Sequence, residues 1–166
     1  MRSRSTRPNR LAVLAVALVA AAVVVPAAFA HPYTATISPA AAGTGDSDAY
    51  AIKITNKYSS QKATKAEIAI PSGWTVSGLS ASATDGTWGT PTVSSGKIVV
   101  SATSGGLGYL KVLTISFSGT ATCTVGTSTF TPKVTNGSTV FSLSGGAPAV
   151  GVSKPGRLAR LTWTQQ

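Results

Sequence analysis

The chain has 166 residues, with 14 Lys plus Arg, only four Asp plus Glu, one His, one Cys and a formal net charge of +10. This length fits one or two small domains and is enough to bury a proper core. Four carboxylates and one histidine leave almost nothing from which to build a two-carboxylate hydrolase or a clustered metal site, and one cysteine excludes an internal disulfide and any multi-cysteine zinc site.

Arg2, Arg4, Arg7 and Arg10 precede an uncharged apolar run from Leu11 to Val25. Pro26 ends that run, and Ala28-Phe29-Ala30 supplies small residues at the two positions a signal peptidase reads. Residues 1–30 therefore read as a signal peptide cleaved after Ala30. The competing reading is an uncleaved anchor, because Leu11 to Ala30 is 20 uncharged residues, enough to span a bilayer. Cleavage leaves a mature chain that starts at His31 with a net charge of +6 and is expected to be secreted or held in the cell envelope.

From His31 onward the composition is Thr, Ser, Gly, Ala and Val, with no apolar pattern at the helical period. Short alternating runs bounded by Gly, Pro, Ser and Asn recur instead. Tyr33, Ala35 and Ile37 alternate with Thr34, Thr36 and Ser38 before Pro39. After a turn at Gly43-Thr44-Gly45-Asp46, Tyr50, Ile52 and Ile54 alternate with Ala51, Lys53 and Thr55. Asn56 to Lys65 reads as a polar loop. Ala66 to Ile70 is a strand closed by Pro71-Ser72-Gly73, and Trp74 and Val76 open another. Ser77 to Gly96, rich in Ser, Thr and Gly, reads as loop with at most one edge strand. Lys97 to Ala102 is β-branched, and Leu110 to Phe117 is apolar on both faces and so expected to be central. Thr120 to Val125, Thr129 to Val134 and Thr139 to Leu143 complete the set, with Asn136-Gly137 as a hairpin signal. Ala147 to Val152 closes the domain.

The expected fold is all-β: an immunoglobulin-like antiparallel β-sandwich of about seven to nine strands over residues 31–153. Residues 154–166 read as a linker and the start of a following repeat. The expected core is Tyr50, Ile52, Ile54, Ile68, Ile70, Trp74, Ile98, Val100, Leu113, Ile115 and Phe117.

The segments Tyr33-Thr34-Ala35-Thr36-Ile37-Ser38-Pro39, Ala51-Ile52-Lys53-Ile54-Thr55-Asn56 and Ile68-Ala69-Ile70-Pro71-Ser72-Gly73-Trp74 resemble immunoglobulin-like modules of secreted, multi-domain bacterial surface proteins. Leu113 to Phe117 and Phe141 to Gly145 continue the likeness, and Ala159 to Gln166 is similar to the opening of a further repeat. The resemblance implies a structural or adhesive role without catalysis. Its partners would be cell-wall polymers, polysaccharide or other surface proteins.

His31 is the sharpest chemical candidate. Cleavage after Ala30 frees its α-amino group beside its imidazole, a pair able to chelate Cu(II), and neutral imidazole suits copper. This start resembles the brace of copper-binding secreted proteins and a small copper-binding sandwich family whose members begin with His. The two-histidine brace lacks its second histidine here. The one-histidine version asks for a carboxylate and a late aromatic, for which the sequence offers Phe141 and only Glu67 or an Asp. Under the primary reading there is no cofactor and His31 is incidental.

Trp74, Trp88 and Tyr109 are candidates for a sugar-stacking platform, with Trp88 in its Gly-rich loop the best of them and Trp74 expected in the core. Cys123 reads as a buried residue of an alternating strand. Lys53, Lys57, Lys62 and Lys65 read as a solvated strand face and loop, which argues against a nucleic-acid partner. Lys111 with Asn136 and Glu67 is the one set to test for an internal isopeptide bond, which needs a buried lysine.

Overall fold

A computed structural model describes residues 31–154. The signal peptide read over 1–30 and the linker beyond Lys154 lie outside the described residues. In chain order the strands are β1 (Pro32–Ser38), β2 (Ala41–Gly43), β3 (Ser47–Asn56), β4 (Lys65–Ala69) and β5 (Thr75–Ala83). There follow β6 (Thr87–Trp88), β7 (Thr92–Ser94), β8 (Lys97–Ser104), β9 (Val112–Thr120) and β10 (Gly126–Thr129). The last are β11 (Thr131–Asn136), β12 (Thr139–Val140), β13 (Ser142–Leu143) and β14 (Ala149–Ser153).

Alternation along the strands builds the layers. One sheet has the order β13-β1-β3-β9-β5, and the facing sheet β12-β11-β4-β8-β6, with β7 also paired to β8. A small third sheet, β10-β14-β2, closes one end. Pairing is antiparallel except for β1 with β13 and β14 with β2. In the first sheet Ile54 is paired with Ala35 and Leu113, and Ile52 with Ile37 and Ile115. Across the core Ile68 pairs with Ile98 and Ala66 with Val100. Ile52, Ile68, Ile98 and Ile115 are all 0% exposed, and burying each side chain contributes roughly 1.5–3 kcal/mol. The expected core residues are buried, apart from Ile70, which is half-buried against the cluster.

Phe130, absent from the expected core, sits between β10 and β11 as the chain passes from the third sheet to the second, and is fully buried. Its ring meets Trp74 edge-on at 5.2 Å and lies 5.7 Å from Phe117, so one side chain ties both layers together.

Several expectations need correction. Ser77 to Gly96 is not mostly loop: it holds most of β5 and all of β6 and β7. The period-two signal is blurred because β5 is an edge strand whose register shift between Ser77 and Ser80 puts Val76 and Leu79 out of period, and whose later inward residues, Ala81 and Ala83, are small. The expected number of strands was too low, since fourteen are formed among the described residues. Thr139 to Leu143 divides at Phe141 into β12 and β13, and Phe130 interrupts what reads as one run. Thr120 to Val125 is not a strand. After Ala121 enters the core, the Thr122 hydroxyl accepts the Thr124 N–H at 3.3 Å and folds the chain locally. Cys123 is consequently exposed rather than buried.

The strands define two ends. β1 begins, β3 ends and β9 begins at one pole, where the Lys57 N–H donates to the Pro32 carbonyl at 2.9 Å. The nine residues of β9 then run about 30 Å to the other pole. There Gly45 N–H donates to the Thr122 carbonyl at 3.3 Å, and Thr44 N–H to the Ser153 carbonyl at 2.9 Å.

Candidate functional site

The outer face of the first sheet is set by the side chains that alternate with its core residues. Neighbouring rows across β1, β3, β9 and β5 read Ser38, Ala51, Ser116, Ser80 and then Thr36, Lys53, Thr114, Ser82. Thr34, Thr55 and Val112 make the next row, and Ala49, Ser118 and Ser77 lie on the other side. Among these side chains Lys53 alone carries charge. A shallow hollow of about 470 Å³ opens among Ser38, Ala49, Lys53, Gly78 and Ser116. Tyr50 and Phe117 form part of its wall. Burial, followed by the charges of Asp48 and Asp46, raises the Tyr50 pKa above the ordinary tyrosine value, and its buried hydroxyl has no hydrogen-bond partner among the described residues.

The facing sheet presents a different surface. Lys133, Glu67, Val99 and Thr92 form one row, with Thr131, Ala69, Lys97 and Ser94 beside it. Glu67 lies 2.6 Å from Lys65 and 3.8 Å from Lys97. The Lys65 hydrogen bond, aided by the charges of Lys65, Lys97 and Lys133, holds the Glu67 carboxyl below its ordinary value. The four lysines read from sequence as one cluster are thus divided: Lys53 lies on the hydroxyl-rich face, Lys57 is exposed just beyond the end of β3, Lys65 pairs with Glu67, and Lys62 pairs with Asp85 at 3.2 Å.

The pole at which β1 begins is organised by two side chains that sequence reasoning passed over. Asn56 is 0% exposed. Its amide donates to the carbonyls of Gln61 at 2.9 Å and Leu107 at 2.8 Å, while its side-chain oxygen accepts the Tyr58 N–H at 2.8 Å. Asp85 accepts from Gly86 N–H at 2.9 Å, Gly108 N–H at 3.1 Å and Lys62 Nζ at 3.2 Å, and the Lys62 bond is the main reason its pKa is lowered. Between them the two residues fix the segment from Gly105 to Lys111. Leu107 exchanges backbone bonds with Ala63 at 2.7 and 3.0 Å and is fully buried, whereas Tyr109 and Leu110 are half exposed at 50% and 52%. Leu110 has φ 57°, a left-handed conformation that strains a side chain. It is therefore outside β9, correcting the strand read from Leu110. The available sequence signal was Gly105, Gly106 and Gly108 around one leucine, which marks irregular backbone but not its anchors.

His31 is half-buried at this pole, its ring 4.2 Å from Tyr58 and 5.6 Å from Phe141. The late aromatic is thus beside it. No group of three or more His, Cys, Asp or Glu side chains gathers anywhere among the described residues. Trp88 is half-buried, with its indole N–H donating to the Asp85 carbonyl at 3.3 Å. It edges a hollow of about 190 Å³ with Leu79, Ser80, Gly89 and Pro91. Trp74 is in the core, 5.3 Å from Tyr50, so it does not share a surface with Trp88 or Tyr109. Lys111 is exposed, and Glu67 is engaged with Lys65 on the second sheet, so the set considered for an isopeptide bond lacks its buried lysine.

No protein-family model and no curated protein matches the sequence. Solved structures match the fold. The seventh type I cohesin of ScaB from Pseudobacteroides cellulosolvens superimposes with a TM-score of 0.52 at 13% identity, over 76% of this chain and 96% of that one. A chain of the CaDoc0917–CaCohA2 complex gives 0.50 at 14% identity, over 73% and 99%. At such identities the likeness is one of fold: an all-β sandwich shared with cohesin modules. The resemblance to immunoglobulin-like modules holds at that coarser level.

Proposed function

We propose that this chain is an exported, non-enzymatic module that holds a partner protein on the outer face of its first sheet. The observation that carries this reading is the row structure of that face, with small hydroxyl and methyl side chains across four strands and one lysine among them. Ser, Thr and Ala lose little rotamer freedom when covered, and each hydroxyl both donates and accepts. A charge-poor centre is what protein interfaces favour. With strands about 4.8 Å apart, the face measures on the order of 500 Å², at the low end of a specific interface and suited to a reversible contact. The sandwich shared with cohesin modules, one of them a component of a two-protein complex, adds support. Export rests on the charged and apolar order of residues 1–30.

The test offers immobilised protein the envelope and medium fractions of the exporting cell. A captured protein that is lost with Thr114→Arg plus Ser116→Arg, but kept with Lys133→Thr on the other sheet, is the expected result. Capture of wall polymer or polysaccharide alone, indifferent to the two arginines and lost with Trp88→Ala, would overturn it in favour of a carbohydrate-binding module.

A second reading rests on the aromatic setting of His31. If cleavage follows Ala30, its amine and imidazole give Cu(II) two nitrogen ligands beside Phe141 and Tyr58. Pro32 has no N–H to yield a third. A mature chain starting elsewhere than His31, or a Cu(II) titration without sub-micromolar binding, ends this reading.

A further inference from the structure

At the pole where β1 begins, the exposed pair Tyr109 and Leu110 is flanked by two exposed lysines, Lys57 and Lys111. Just past the paired stretch of β3 and β9, Leu110 N–H donates to the Asn56 carbonyl at 2.8 Å and Asn56 N–H donates to the Lys111 carbonyl at 3.2 Å, so Leu110 and Lys111 both lie against Asn56, which Lys57 follows in the chain. Lys62 enters the same cluster through Asp85, which also binds Gly108. Lys57 and Lys111 are exposed and have no ion-pair partner among the described residues. The pair itself is held rigidly. Leu107 is pinned on one side and Lys111 on the other, and Leu110 keeps a backbone conformation that glycine would adopt without strain.

From this we infer that the pole is a docking surface for an anionic lipid membrane, with Tyr109 and Leu110 entering the headgroup boundary and Lys57 and Lys111 facing the lipid charges, while Lys62 stays with Asp85 and holds the loop. A tyrosine prefers that boundary because its ring is apolar and its tip polar, and lysines place apolar stems along it while their ammonium groups stay wet.

The experiment uses the exported protein labelled with an environment-sensitive dye at one of two places: native Cys123, exposed at the far pole, or Tyr109→Cys in a Cys123→Ser background. Vesicles of phosphatidylglycerol with phosphatidylcholine should shift the emission of the dye at position 109 to the blue and leave that at Cys123 unchanged, and pure phosphatidylcholine should shift neither. Lys57→Gln and Lys111→Gln should each weaken partitioning about fivefold. Leu110→Gly should weaken it further without lowering the thermal midpoint, because φ 57° suits glycine. Equal shifts at both positions, no shift at either, or retention on an anionic wall polymer with no vesicle binding would overturn the proposal.

Discussion

The two sheets are alike inside and opposite outside. Each buries a row of isoleucines, Ile52 and Ile115 in the first and Ile68 and Ile98 in the second, all without exposure. Outward, the first shows Ser, Thr and Ala with Lys53 alone, while the second gathers Lys65, Lys97, Lys133 and Glu67. The inner residues answer to the demand for a packed core, which both sheets face equally. The outer residues are free of that demand. A surface that only needs water keeps long charged side chains, and their near absence from one face is the contrast on which the proposed partner contact rests.

The comparison breaks first at the core. Ile115→Ala and Ile68→Ala should each cost about 2–5 kcal/mol. Denaturant unfolding should find the two within the spread of a single class, and a much smaller loss in one sheet would mean that the interiors are not equivalent.

The next test uses two buried tyrosines of the first sheet. The Tyr33 hydroxyl donates to the Pro132 carbonyl at 2.7 Å, bridging to the second sheet, whereas that of Tyr50 has no partner among the described residues. Tyr33→Phe should cost about 1–2 kcal/mol and Tyr50→Phe close to nothing. The pH dependence sharpens it. Burial pushes the Tyr33 pKa up to about 12 from 10.0, so the unfolded chain ionises first. The stability tied to this hydroxyl is intact below pH 10 and lost as pH rises through 12. Alkaline unfolding should therefore be shallower in Tyr33→Phe than in the parent.

Glu67→Gln probes the charged face. Its carboxyl is held below the ordinary value by Lys65 first, and by Lys97 and Lys133. Its contribution is thus present at neutral pH and lost as pH falls through and below the carboxylate range. The pair is partly exposed, so the loss should stay under about 1 kcal/mol and shrink further in high salt. Smallest of all, Thr114→Arg on the hydroxyl-rich face should move stability by no more than about 0.5 kcal/mol. A larger loss would show that this face serves the fold and not a partner.

How much of this was legible follows the same division. Alternation in β1 and β3, the β-branched run of β8 and the apolar run that became β9 are local signals, and from them came the sandwich, its central strand and its core. β5 was legible only at its start, from Val76, because the bulge between Ser77 and Ser80 puts Val76 and Leu79 out of period and its later inward residues, Ala81 and Ala83, are only weakly apolar. Phe130 and Cys123 were misjudged for one reason: whether a residue in a Thr-rich run is buried depends on where the chain changes sheet. Asn56 and Asp85 were invisible as hubs, since their partners, among them Leu107 and Gly108, are distant in sequence. The hydroxyl-rich face was written in the sequence as the polar half of each alternation. It becomes a surface only once register sets Ser38, Ala51, Ser116 and Ser80 side by side.

The two poles have a mechanical consequence. The chain enters the domain at His31 beside Tyr58 and leaves it after Ser153 beside Thr44, at opposite ends of the sandwich. Tension applied between these points would load β1 and β14 along their own axes, against six paired positions with β3 for the one and four with β10 plus three with β2 for the other. Hydrogen bonds loaded in this way resist as a set, in shear, instead of opening one after another like a peeled edge. A module wired in this manner would transmit a pull with little extension and yield only at high force.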